Sequence, residues 1–188
     1  MKTVFDIDFT FEQSDNLYNY QLDLTAKLDG MNRPFDQQII NDIVLWKVNR
    51  YALLSDYSFE LLNKIDYKSV EIDINLTIEI LKDLLKTKGI QLPMASTILR
   101  FKNKNIYQII DQRVYRIIYM NKKLKLNTYL SDKNLTTQID LYLKYLTDLK
   151  EICCKHHIPF ANADRILYMA DRRINKDITL DNYSNKAD

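Results

Sequence analysis

Glycine and proline are almost absent from this chain, with two glycines and three prolines in 188 residues. Tight turns draw on both, so a turn-rich all-β architecture is disfavoured and long helices with few breaks are expected. The expected fold class is all-α. An apolar content of 46% is enough for a sizeable core, and the length suits one ordinary domain or two small lobes sharing a cleft. No apolar run is long enough to span a bilayer, and the opening MKTVFDIDFTF is too acidic and too alternating for a signal peptide, so a soluble, cytoplasmic protein with no membrane partner is expected. Cys153 and Cys154 are sequence neighbours, which agrees with a reducing compartment.

Net charge is only +2, but it is unevenly spread. Lys and Arg stand at 7 against 14 acids over residues 1–81, at 11 against 2 over 82–125, and at 9 against 9 over 126–188. Nucleic-acid binders concentrate positive charge in this way, because phosphate neutralisation and counterion release supply most of their affinity. A lysine-rich composition scattered over a solvated face is the plainer account.

Along the chain, Val4 to Phe11 alternates with the period of a half-buried strand or extended arm, and Val70 to Ile74 is the only comparable run. Leu17, Tyr20, Leu24 and Leu28 recur at helical spacing up to Asp29-Gly30, and Pro34-Phe35-Asp36 opens a second helix that carries Trp46-Lys47. Ser58 reads as the cap of a short helix to Ile65. A long helix is expected over 135–155, with Leu135, Ile139, Tyr142, Leu146, Leu149 and Cys153 as its core seam. Its end crowds Cys153, Cys154, His156 and His157, but only Cys153 and His157 share a face, two ligands where zinc takes three or four, so no metal is expected. A last helix over 163–175, capped by Asn162, has Ala163, Ile166, Leu167, Ala170 and Ile174 as its apolar stripe and leaves Arg165, Arg172 and Arg173 elsewhere on its surface.

The most informative stretch runs from Leu76 to Tyr119. Ile78, Leu81, Leu84 and Leu85 mark a helix with Asn75 as its expected cap. Thr87-Lys88-Gly89 stops it, with Gly89 placed where φ is positive or another backbone comes close. Ala95, Ile98 and Leu99 mark a second helix whose first turn holds Pro93. An extended run leads to Asp111, in a clean N-cap position before Gln-Arg-Val-Tyr-Arg.

Over residues 76–119 the sequence resembles the helix–hairpin–helix DNA glycosylases, the superfamily of endonuclease III and 8-oxoguanine DNA glycosylase. Gly89-Ile90-Gln91 takes the place of the GxG hairpin, Ala95 and Ser96 that of the close-packed small residues, and Ile110-Asp111-Gln112-Arg113 that of the aspartate run. A weaker likeness to a bacterial branch extends to both sides and includes Trp46-Lys47, Asp164 and Tyr168. The resemblance implies two lobes, residues 34–110 as a helical barrel ending in the hairpin and residues 1–33 plus 111–188 as the second, with a cleft between. It implies a monomer whose partner is duplex DNA with a flipped base, and Asp111 as the carboxylate of N-glycosidic bond hydrolysis. The second hairpin glycine is replaced by Gln91 and the lyase lysine by Pro93, so base removal without strand cleavage is the implied chemistry, unless Lys47 serves as the amine. No cofactor is implied; the four cysteines that hold an iron–sulfur cluster in some members are absent.

Phosphate contacts are expected from Lys86, Lys88, Gly89, Gln91, Arg100, Lys102 and Arg113, and a base pocket from among Trp46, Tyr107, Tyr115 and Tyr168. Arg113 and Arg116 are close enough in sequence to hold Asp111 ionised or to bind phosphates, and Asp164 is a candidate for orienting Arg113. Each has a plainer role: Asp111 as a helix cap, Lys47 as a cation on a helix C-terminus. A silent helix–hairpin–helix nucleic-acid-binding module is the alternative function.

Overall fold

A computed structural model describes residues 21–32, 34–48, 52–120, 122–127 and 129–180. Among these the chain is all-helical, with no strand. It divides into two compact units, Met1–Tyr51 and Ala52–Asp188.

In the described part of the first unit, α1 (Leu22–Asp29) packs on α2 (Gln37–Lys47). Asp36 caps α2 by accepting from Ile39 N at 2.9 Å, as the Pro-Phe-Asp sequence implies. Leu24 and Ile39 are buried, the Trp46 indole N–H donates to Thr25 Oγ1 at 2.9 Å, and Lys27 pairs with Asp42 at 2.6 Å.

The second unit holds α3 (Asp56–Asn63), α4 (Ile74–Lys86), α5 (Leu92–Lys102), α6 (Gln112–Ile118), α7 (Asp132–His156), a 3-10 turn (Phe160–Asn162) and α8 (Ala163–Ile174). Ser55, not Ser58, caps α3; Ser58 lies one turn in and is buried, donating its N–H to Ser55 Oγ. Asp73, not Asn75, caps α4 by accepting from Leu76 N at 2.9 Å. Residues 70–74 therefore lead into a helix rather than forming a strand. Their expected partner, 4–11, lies outside the described residues.

The inner side of α4 is Thr77, Ile80, Leu81, Leu84 and Leu85. α4 ends at Lys86, and the turn after it holds Gly89 at φ +88°, a left-handed corner where a side chain is strained. A Cβ there would meet nothing within 4 Å, so conformation and not crowding explains the glycine. Pro93 sits in the first turn of α5, where no N–H is needed. The seam of α7 is as expected, with Tyr145 added.

One hydrophobic core draws on Leu61 and Leu62 of α3, Leu81 and Leu84 of α4, Leu92 and Leu99 of α5, Val114 of α6, Tyr142 and Leu149 of α7 and Leu167 of α8. Ile106, Tyr107 and Ile110, in the segment joining α5 to α6, belong to the same core. The inner face of α8 departs from the apolar stripe: Ala163, Asp164, Leu167 and Asp171 are buried, whereas Ile166 and Ile174 are exposed. Two aspartates turn inward because arginines from α5 and α6 meet them. No helix among the described residues is long and apolar enough to cross a membrane.

Candidate carboxylate site and nucleic-acid interface

Asp111 stands at the end of a backbone segment held from several sides. Gln108 O accepts from the Tyr142 hydroxyl at 3.0 Å and Ile109 O from the Tyr145 hydroxyl at 2.7 Å. Ile110 N donates to Ser96 Oγ at 3.2 Å, and Asp164 N donates to the Gln108 side chain at 3.3 Å. These groups are buried or half-buried, and backbone polar groups withdrawn from water must find partners. Here side chains of α5 and α7 supply them, and the Asp164 carboxylate of α8 accepts from Ile109 N at 3.5 Å, which fixes the backbone just ahead of Asp111. Burial drives the Tyr142 and Tyr145 hydroxyls well above the ordinary tyrosine pKa, so both remain protonated donors.

Asp111 itself is half-buried and caps α6, its Oδ1 accepting from Val114 N at 2.8 Å. Desolvation raises its pKa above the ordinary carboxylate value; the Val114 and Arg113 amides and the Arg113 charge offset this only in part. A carboxylate whose basicity is raised while its backbone is fixed suits general-base and electrostatic work.

Arg113 does not pair with Asp164. It donates to Asp171 Oδ2 at 3.1 Å, and its guanidinium lies 5.7 Å from the centroid of the half-buried Tyr168 ring. Asp171 also receives both arms of Arg116, Nε to Oδ1 at 2.7 Å and Nη2 to Oδ2 at 2.8 Å. Burial pushes the Asp171 carboxyl up, but hydrogen bonds from Arg116, Asn175 and Arg113 outweigh it and hold the group below the usual carboxylate range. Arg116, expected to hold Asp111 ionised or bind phosphate, is thus enclosed as a structural fork. Asp171 escaped the sequence reading; its signal was an acid one turn beyond Leu167, on the face that should have been apolar.

The expected phosphate contacts separate by residue type. Lys86, Lys88, Gly89 and Gln91 are exposed around the hairpin, and Gln91 ends it without a side-chain cap bond. Lys102 reaches Asn63 Oδ1 at 3.0 Å. Arg100 is not available to DNA: it is 5% exposed, donates to Ala161 O at 3.3 Å and forms a 3.4 Å ion pair with Asp164. Its position in α5 falls on the buried side with Ala95, Ser96 and Leu99, so it anchors α5 to the start of α8.

The aromatic set also divides. Tyr107 is 1% exposed, its hydroxyl bonded to Thr77 Oγ1 at 2.7 Å, so it is a core residue and offers no face to a base. Trp46 ties α2 to α1, and Lys47 is exposed at the end of α2; both belong to the first unit. Tyr115, one turn along α6 from Asp111, is half-buried with its ring 4.4 Å from that of Tyr119. Tyr119 donates to Asp148 at 2.6 Å. Tyr115 and Tyr168 are therefore the expected pocket residues found on elements next to Asp111.

Cys153 is buried and Cys154 exposed, and no group of three metal-ligating residues occurs among the described residues. Comparison of the chain with protein-family models, curated proteins and solved structures gave no match.

Proposed function

We propose that the chain is a DNA glycosylase-like base-excision protein, monofunctional, that hydrolyses the N-glycosidic bond of a flipped base with Asp111 as its catalytic carboxylate. The observation that carries this reading is the fixed backbone before Asp111, held by Ser96, Tyr142, Tyr145 and Asp164, which presents a half-buried carboxylate of raised basicity.

In this reading α4, the Gly89 turn and α5 form a helix–hairpin–helix that grips a phosphate, and a cleft opens at Asp111 between that hairpin and α6–α8. Gln91 to Ser96 covers five helical residues, about 7.5 Å of axis, and Ser96 already touches Ile110. A backbone gripped at the hairpin thus runs close to the carboxylate. Lys86 and Lys88 supply phosphate contacts, and Tyr115 and Tyr168 flank the extruded base. Asp111 stabilises the cation that develops on the sugar and takes a proton from water as the water oxygen bonds C1′. The C1′–N bond breaks with its electron pair leaving on the base. Pro93 stands where a lyase lysine would be, so the strand stays intact.

The second reading is a silent helix–hairpin–helix binding module, favoured by the engagement of Asp111 Oδ1 as a cap. The discriminating experiment presents duplexes bearing uracil, 8-oxoguanine, alkylated purines or modified cytosines, then cleaves abasic sites with alkali. Alkali-dependent cleavage of at least one duplex supports the glycosylase. Tight duplex binding with no base released from any of them supports the silent module.

A further inference from the structure

The hairpin is one candidate grip on a nucleic acid; the outward arginines of α8, to which the resemblance assigns no contact, present another. Hydrogen bonds fix the relation of α6 to α8: Ile109 meets Asp164, Arg113 meets Asp171, and Arg116 meets the carbonyls of Asn175 and Ile178. Both sequences advance together, so the two helices run parallel, with Asp111 and Asp164 at the same end. Asp164 and Asp171 face inward and are consumed by Arg100, Arg113 and Arg116. What remains outward is strongly basic: over residues 163–180 the exposed charges are Arg165, Arg172, Arg173 and Lys176 against Asp177 alone.

Two of these cations flank the aromatic beside the carboxylate site. Arg165 and Arg172 lie three residues before and four after Tyr168, within one helical face. Among the described residues neither guanidinium makes a hydrogen bond or ion pair. Arg113, held over Tyr168 and 24% exposed, extends the row onto α6. The Asp171 cluster contains two arginines and one carboxylate, so it adds positive charge to this side.

We infer that Arg165 and Arg172, with Tyr168 between them, form a second binding strip for a phosphodiester backbone, on the α8 side of Asp111. The inference rests on the nucleic-acid reading above and assigns it a second anchor. Guanidinium forks match phosphate oxygens bidentately, and an aromatic between them gives a base or sugar a surface to lie on. Exposed Ile166 and Met169 border the row, so an anionic lipid surface is the competing occupant. Arginines grouped about a tyrosine, next to the carboxylate site, favour nucleic acid.

The test uses the full chain with R165Q/R172Q, glutamine preserving the helix and most of the side-chain stem, and with K86E/K88E as the hairpin counterpart. Binding to an unmodified duplex is followed across a salt series, with melting temperature as the fold control. Loss of two phosphate contacts should flatten the salt slope by about 1.8 and weaken binding roughly 10- to 100-fold near 0.1 M salt. An unchanged slope and affinity in R165Q/R172Q, beside a weakened K86E/K88E, overturns the strip and leaves the hairpin reading standing. No duplex binding by the native protein overturns both. Native binding to phosphatidylserine vesicles that R165Q/R172Q abolishes, with duplex binding untouched, assigns the face to lipid instead.

Discussion

The lysines of the hairpin turn and the arginines of α5 and α6 come from one basic stretch of sequence, residues 82–125, yet they are used in opposite ways. Around the hairpin Lys86 and Lys88 project into solvent. On α6, and on α5 behind it, Arg116 and Arg100 turn inward to buried aspartates of α8. Lysine is a strongly hydrated point charge, whereas a guanidinium can be enclosed when a carboxylate matches its fork. A count of charge along a chain is thus an upper bound on the charge its surface offers, and here the arginines of the basic segment are the part withdrawn.

The difference can be broken most forcefully at Asp171. Asp171→Ala leaves Arg113 and Arg116 without their shared acceptor, and an uncompensated buried charge costs about 3–5 kcal/mol. Chemical denaturation should show a loss of that order, while K86E/K88E should shift the melting temperature little. A small effect at Asp171 would mean that the fork is solvated and that the two regions do not differ. The next largest effect is expected from Tyr145→Phe, which deprives the Ile109 carbonyl of its donor and should cost about 1–3 kcal/mol. Tyr142→Phe should behave alike at Gln108. Either change should also accelerate amide exchange in residues 108–110, and unaltered exchange would remove the frame from the account.

Acid titration sharpens the contrast with smaller effects of opposite sign. Asp171 is held below the ordinary carboxylate value of about 3.9, so its contribution is complete above that value and is lost as pH falls through the depressed folded pKa. Asp111 is raised, so its ionisation disfavours folding: stability declines as pH climbs from the unfolded value through the raised folded one. Asp111→Asn removes that decline and keeps the cap, leaving the protein as stable as native, or slightly more so, at neutral pH. A neutral-pH loss in Asp111→Asn would show that the carboxylate charge supports the fold.

Helix existence was legible because apolar residues recur at helical spacing, as in the α7 seam, and because scarce glycine excluded turn-rich folds. Capping residues slipped where two acceptors stood close together: Asp73 replaced Asn75, and Ser55 replaced Ser58. The left-handed corner at Gly89 was legible because glycine is so rare here. At the site, Asp111 could be read as a cap from its flanks, but the frame behind it could not. Tyr142 and Tyr145 look like seam residues, and nothing local reveals that their hydroxyls meet Gln108 and Ile109 more than thirty residues away. Asp171 and Arg100 were hidden for the same reason, since a buried ion pair looks like two surface charges until the helices carrying them are brought together.

The proposed chemistry depends on one carboxylate, Asp111. Single-turnover base release from whichever lesion-bearing duplex the native protein processes should be compared with Asp111→Asn, each protein checked for melting temperature and duplex affinity. Unchanged fold and binding are expected with release slowed by roughly 10²–10³-fold, since asparagine caps the helix but carries no charge to stabilise a cationic sugar. Release by Asp111→Asn at the native rate would contradict this chemistry and leave Asp111 as the cap of α6 alone.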